Sequence, residues 1–383
     1  MPDPHNAPRR AAVGLAAGGT GGHLFPAEAL ARELLARGHE VVIYTERRGA
    51  QFTRALEGLP HVVLPARSLA GGIGGKLAAA TVSARATLAA RADMKRRGVR
   101  LLAGFGGYPS FAPALAARSL GLPLLLHEQG TRLSMANRQL LRFATRVATS
   151  FPGVAGIDVG RVVETGNPVR AEILAAAGAP YPSLDAPAPL RLLVVGGSQG
   201  AAVFGRVVPA ALLALPEALR RRIRVALQYR GDDAASVAAG LQAAGIDAEV
   251  RPFFDDMAAR LHDAHLVLTR AGATTIADLL VVGRPAIFVP IPQGGSREEQ
   301  RGNAEALARL GAGWCMPEPD GFTAAALAGR LAQLLADATT LPNAAAAAAA
   351  LGRPDAASRL ADEVDAMLAL PAGSAPRRAR TGG

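Results

Sequence analysis

The sequence predicts an α/β protein of two doubly wound domains, and three observations carry that expectation. The chain has 383 residues, half of them hydrophobic, which is too long for one ordinary core and apolar enough for two. Short continuous apolar runs alternate with helical stretches, the pattern of buried parallel strands covered on both faces. That alternation breaks once, over 171–189, where Ala-Gly-Ala-Pro-Tyr-Pro-Ser and then Ala-Pro-Ala-Pro mark a linker.

In the first half, strands are expected at 11–16, 41–45, 62–64, 101–102, 124–126 and 146–149, with a helix over 26–37 stopped by Gly38. The second half restarts at 190–195 and continues through 225–227, 266–268 and 286–289. An amphipathic helix is expected near the C-terminus. The expected organisation is a domain over 10–170, the linker, a domain over 190–352, a helix over 353–370 and a disordered tail over 371–383. Each half opens with an apolar strand, a glycine-rich turn and a helix. The first turn is Gly18-Gly19-Thr20-Gly21-Gly22-His23 and the second Gly196-Gly197-Ser198-Gln199-Gly200. Such domains bind ligands at the carboxyl ends of their strands, so those ends are expected to face one another across a cleft.

Composition removes several classes. The 43 glycines and 27 prolines have no period, so a collagen-like chain is excluded. The single cysteine, Cys315, allows no internal disulfide framework and fits a reducing compartment. Residues 1–10 have no apolar core behind a basic start, so no signal peptide is expected. No apolar run reaches the roughly 18 residues of a transmembrane helix. A net charge of +11 asks for an acidic partner, yet aromatics are only 4% of residues, and a single-strand binder needs stacking rings. Lipid or phosphate is expected, and no nucleic acid.

Glycines at a strand-to-helix turn let backbone N–H groups approach an anion, and the helix dipole adds attraction. The plainer alternative is a tight turn needing glycine for its dihedrals. Two such loops at equivalent places favour the first reading. Neither is the dinucleotide fingerprint, because the third glycine position falls on Leu24. The run 71–76 fails as a P-loop, with Ala70 and Leu77 at required positions. His23 sits at a helix start, where the imidazolium is disfavoured and a neutral ring can accept a proton; a packing histidine is the alternative. His127-Glu128-Gln129 ends an apolar strand, and Gly104-Phe105-Gly106-Gly107-Tyr108-Pro109-Ser110 is another strand-end turn. Arg170, in Gly166-Asn167-Pro168-Val169-Arg170, can reach a phosphate or form a surface ion pair. In the second half, Arg270 to Asp278 follows a strand and opens a helix: its amides suit phosphate, and Asp278 suits ribose or is an ordinary first-turn acid. Gln300 and Asn303 share a helix face that suits sugar hydroxyls. No Asp-x-Asp and no metal-ligand spacing occur, so no metal and no cofactor are expected.

As an ordered set, the motifs at 18–23, 106–110, 127–129, 166–170, 196–200, 253–257 and 270–278 resemble the bacterial peptidoglycan glycosyltransferases that form lipid II. The resemblance runs from residue 11 to about 370, omitting linker and tails. It implies a GT-B fold, two Rossmann-like domains facing across a cleft. It also implies inverting transfer of N-acetylglucosamine from UDP-GlcNAc to the muramoyl 4-hydroxyl of lipid I, carried on undecaprenyl diphosphate. By the same resemblance His23, His127 and Glu128 form the catalytic group. Thr20, Gly21, Gly22, Tyr108 and Asn137 join the substrate-binding set. Ser198 and Arg170 approach the donor diphosphate, and Phe254 offers its backbone to the uracil. Ala273, Thr274, Thr275, Ile276, Ala277 and Asp278 hold phosphate and ribose, and Gln300 holds the sugar. Three positions depart from the family pattern: Gly130 replaces an asparagine, Asp278 replaces a glutamate, and the loop 291–297 is longer and richer in glycine.

The family docks on the cytoplasmic face of the inner membrane. The candidate surface is 69–97, where Leu77, Val82 and Leu88 mix with Lys76, Arg85, Arg91, Lys95, Arg96 and Arg97. A covering helix with a solvated basic face is the alternative. Two rival functions remain: a UDP-GlcNAc 2-epimerase, which needs no lipid acceptor, and a non-catalytic polyanion binder.

Overall fold

The computed structural model describes residues 10–66, 73–184, 189–197, 201–294 and 297–370, without the side chains of 54 and 73–78. The chain divides into two compact units, one of 1–170 plus 355–383 and one of 171–354.

The first unit holds a parallel seven-stranded sheet: β1 (Ala12–Ala16), β2 (Glu40–Thr45), β3 (His61–Val63), β4 (Val99–Gly104), β5 (Leu124–Glu128), β6 (Arg146–Thr149) and β7 (Val162–Glu164). Their order is β3-β2-β1-β4-β5-β6-β7. Alternate residues serve opposite faces, as the strand period requires. Val13 and Leu15 of β1 join Leu101 and Ala103 of β4 beneath Leu24, Leu30 and Leu34 of the helix Gly21–Ala36. Val42, Leu102 and Leu126 pack on the other face with Ala86, Ala90 and Met94 of the helix Ile73–Arg97.

The second unit holds six parallel strands: β8 (Leu190–Val195), β9 (Ile223–Gln228), β10 (Asp247–Arg251), β11 (Leu266–Thr269), β12 (Ala286–Phe288) and β13 (Gly313–Cys315). Their order, β10-β9-β8-β11-β12-β13, repeats the first sheet's layout. β7, β10 and β13 were not expected. All three lie at sheet edges, where one side faces water and no continuous apolar run is required; Asp247-Ala248-Glu249-Val250-Arg251 carries three charges in five residues.

Two boundaries differ from the sequence expectation, and the expected C-terminal helix finds its place in the fold. The first helix starts at Gly21 rather than 26, because the glycine turn itself forms its opening turns and Pro26 lies inside it. The segment 171–189 is not a bare linker. Ala171–Leu174 is a helical turn with Ile173 buried, and it packs on the helix Ala273–Val282. Beyond it, the Tyr181 hydroxyl donates to His265 O at 2.8 Å, and the buried Arg284 guanidinium donates to Pro180 O at 3.3 Å. Finally, the C-terminal helix Ala356–Ala369 belongs to the first unit. Leu360, Val364 and Met367 enter the core under β1 and β4. Arg37 donates to Asp362 at 2.7 Å and Asp365 at 2.9 Å, and His39 Nε2 lies 2.8 Å from Asp365. Leu360 is fully buried, so Leu360→Ala is expected to lower the unfolding free energy by about 2–5 kcal/mol. Denaturant unfolding followed from the first unit checks this. The expected tail at 371–383 lies outside the described residues.

Candidate active site

Each sheet reverses its strand order once, between β1 and β4 in the first unit and between β8 and β11 in the second. At such a switch point the connections leave in opposite directions, and a crevice opens at the strands' carboxyl ends. The glycine loops leave those four strands.

In the first unit, two loops interlock above β1 and β4. A Cβ on Gly18 would lie 2.8 Å from Pro109, so only glycine lets them approach this closely. The buried Ser110 Oγ lies 2.6 Å from Gly106 O and 3.0 Å from Ala16 O, one hydroxyl shared between the two loops. His23 is the third residue of the helix Gly21–Ala36, and its ring rests on Gly107. Gly107 has φ +75°, and a Cβ there would meet His23 Cδ2 at 2.8 Å. Thr20 occupies the N-cap in extended conformation, with no capping bond from its side chain. Its hydroxyl is not committed to the helix end.

His127 and Glu128 end β5 and take different parts. His127 Nε2 donates to Gly166 O at 2.9 Å, which leaves Nδ1 as the acceptor; that atom is buried and has no partner. His23 Nδ1 is buried without a partner too. Burial pushes the His23 imidazole down to about 4, with Gln129 drawing it partly back. Burial also takes His127 to about 4, opposed by the Gly166 bond and reinforced by His23. Both rings are neutral proton acceptors at neutral pH.

Glu128 accepts from Ser134 N at 2.8 Å, Asn137 Nδ2 at 2.9 Å and Gly130 N at 3.2 Å. Its carboxyl is buried and its pKa raised by that burial, against the pull of these donors. The expected catalytic carboxylate is therefore committed to the loop and the following helix, Met135–Leu140. Asn137 also donates to His127 O at 3.0 Å, while its Oδ1 is buried and unpartnered. Gln129 Nε2 donates to Phe105 O at 2.8 Å. Tyr108 packs 6.0 Å from Phe111, and the Arg170 guanidinium lies 4.6 Å over the Phe25 ring. His23, Gln129, His127 and Asn137 thus come together.

Because both imidazoles must be neutral to accept a proton, and both titrate near 4, they stay competent as pH falls from 7 to 5. The acid limb of kcat/KM for the free enzyme is expected nearer pH 4 than 6.5. A pH–rate profile with structure monitored in parallel checks this.

In the second unit, Gly197 has φ +74° after β8, and Gly196 N donates to Gln228 Oε1 at 3.3 Å. Ser198 lies outside the described residues. Gly272 is the N-cap of the helix Ala273–Val282, and no side chain caps this end. The amides of Ala273, Thr274 and Thr275 form an anion-favouring first turn. Ile276 and Ala277 are buried behind it. Asp278 is not a first-turn acid: it lies in the second turn and is buried. Gln300 Oε1 accepts from Ile291 N at 3.2 Å, and the buried Asn303 donates to Ala271 O at 3.2 Å. Arg270 donates to Val289 O at 3.1 Å and Glu318 at 2.5 Å. Phe254 is buried beneath Arg260, whose guanidinium is 3.9 Å from the ring centre, while Phe253 beside it is 56% exposed.

Two parallel sheets of matching strand order, each with a glycine loop at its switch point, give the chain the GT-B fold, and the family match makes it a glycosyltransferase. Residues 13–149 match the glycosyltransferase family 28 N-terminal domain and 191–360 the glycosyltransferase family 28 C-terminal domain; the chain belongs to this family. It is 49% identical over 360 residues to the UDP-N-acetylglucosamine--N-acetylmuramyl-(pentapeptide) pyrophosphoryl-undecaprenol N-acetylglucosamine transferase of Rhodospirillum centenum, covering 92% of this chain and 94% of that protein. The crystal structure of Acinetobacter baumannii MurG superposes with a TM-score of 0.75 at 30% identity, covering 93% of this chain and 99% of that one. A Listeria monocytogenes protein described as a putative UDP-N-acetylglucosamine 2-epimerase shares the fold at 16% identity and TM-score 0.67, covering 96% and 98%.

Proposed function

We propose that the chain transfers N-acetylglucosamine from UDP-GlcNAc to the muramoyl 4-hydroxyl of lipid I, with inversion. The observation that supports this most is the pair of buried neutral imidazoles whose Nδ1 atoms lack partners, at the switch point of a family 28 N-terminal domain. The muramoyl oxygen attacks C1 of the donor sugar as the C1–O bond to the diphosphate breaks. The hydroxyl proton passes to His23, with His127 beside it. Glu128 is the positioning residue that holds the loop 130–137 and, through Asn137, the His127 backbone. Tyr108 and Asn137 bind the acceptor. UDP leaves with its charge stabilised by the amides of 273–275, by Ser198 and by Arg170, and no metal or cofactor takes part. Phe254, Asp278 and Gln300 hold the uridine and the sugar.

Lipid I places the enzyme at the cytoplasmic face of the inner membrane. Among the described residues, no helix is long and apolar enough to cross a bilayer. The helix Ile73–Arg97 supports a docking role: Leu88 is 67% exposed, with Arg85, Arg91 and Lys95 also exposed. Arg96 and Arg97 are paired with Asp93, so they add less than their number suggests. Leu69 lies outside the described residues, as do the side chains of Lys76 and Leu77.

The test is UDP release from UDP-GlcNAc with and without a lipid I analogue. Acceptor-dependent release is expected. UDP release and sugar epimerisation without acceptor would favour the epimerase instead.

A further inference from the structure

We propose that Asn167 is a positioning and specificity residue that grips a pyranose substrate through two neighbouring oxygens, Nδ2 donating to one and Oδ1 accepting from a hydroxyl. The inference rests on the glycosyltransferase reading and adds a residue to it. The segment 166–170 is held at both ends by groups of the site. Gly166 O accepts from His127 Nε2 at 2.9 Å and from Thr165 Oγ1 at 3.1 Å. Arg170 stacks 4.6 Å over Phe25, two residues beyond His23. Pro168 confines the Asn167 backbone to extended conformations, so it cannot relax into a turn that would satisfy its own side chain.

Between these anchors Asn167 is 6% exposed, and neither its Oδ1 nor its Nδ2 has a hydrogen-bond partner. Buried amides are normally paired, because leaving them unpaired costs free energy that an apolar side chain of similar shape would avoid. A purely packing role therefore does not account for an asparagine here. Of the nearby unpartnered atoms, His127 Nδ1 and Asn137 Oδ1 are acceptors only, and His23 Nδ1 is a single ring nitrogen that offers one bond. Asn167 alone among these offers a donor and an acceptor in one plane. Their complement is a hydroxyl beside a second oxygen, as on neighbouring carbons of a pyranose. In the acceptor that pair is the 4-oxygen, which takes a proton from Nδ2 and keeps its own for His23, and the nearby 6-hydroxyl, which donates to Oδ1. In the donor it is the 3- and 4-hydroxyls. Gripping the acceptor pair would hold the 4-oxygen with its own proton free to turn toward His23.

The test compares Asn167→Ala and Asn167→Asp with wild type, titrating a soluble lipid I analogue and UDP-GlcNAc separately. Calorimetric affinities read the contact without turnover, and wild-type turnover reports independently on the transferase assignment. The expected result is a rise of about tenfold or more in the acceptor KM and Kd for the alanine variant. The donor values should stay within about twofold, with aspartate intermediate because it keeps only the accepting half. A rise confined to the donor, and absent with 3-deoxy and 4-deoxy UDP-GlcNAc, would uphold the grip and assign it to the donor sugar. Unchanged affinities for both substrates, or loss of folding in both variants, would overturn it in favour of a structural role.

Discussion

His23→Ala is expected to lower kcat by about 10²–10⁴-fold while leaving the UDP-GlcNAc affinity within about twofold. The reasoning starts from position. The ring is the third residue of a helix that opens directly from a glycine turn, at the strand end where the sheet reverses order. It rests on Gly107, whose positive φ and missing side chain make room for it, and burial keeps it neutral. Alanine favours the helix at that position, so the fold should survive the change. What disappears is a proton acceptor with a buried, unpartnered nitrogen. If kcat stays within about threefold of wild type, the base lies elsewhere, and His127 becomes the next residue to replace.

The second large effect is expected from Glu128→Ala, by a different route. Removing that buried carboxylate leaves Ser134 N and Gly130 N without their acceptor and takes from Asn137 Nδ2 one of its two acceptors, His127 O being the other. At roughly 1–3 kcal/mol for each unsatisfied buried group, the loop 130–137 should loosen or refold and stability should fall by about 2 kcal/mol or more. Because Asn137 also holds the His127 carbonyl, activity should fall at least about a hundredfold. Glu128→Gln, which keeps the shape and one accepting oxygen, should recover part of both. Thermal melts and turnover of the two variants check this. Equal, normal stability with a large loss of kcat in both would instead make Glu128 a direct participant in the chemistry.

The sequence pattern revealed the two-sheet architecture because central parallel strands, buried on both faces, must be continuous apolar runs. It missed β7, β10 and β13, whose half-solvated edges impose no such run. Pro26 misled the reading of the first helix, since proline is expected at a helix start and here lies six residues in. The C-terminal helix could be seen as amphipathic, but nothing in its pattern names the sheet it covers. At the site, glycine turns and strand-end polar residues pointed to His23 and His127, and Asn137 entered only through the family resemblance. They did not separate Glu128, which accepts from donors two, six and nine residues on, from the histidines beside it, because bonds made by a folded loop leave no local signal. Asn167 was visible only as part of a motif. Its burial without a partner is a property of the folded segment.

The most direct test of the central claim is the fate of the donor sugar. The purified protein is given UDP-GlcNAc labelled in the sugar, together with a short-chain lipid I analogue, and the lipid product is analysed by mass spectrometry and NMR. The account predicts one labelled GlcNAc per acceptor, joined through a β linkage to the muramoyl 4-oxygen. Folded protein that binds UDP-GlcNAc yet leaves the acceptor unlabelled, or joins the sugar through an α linkage, would contradict it.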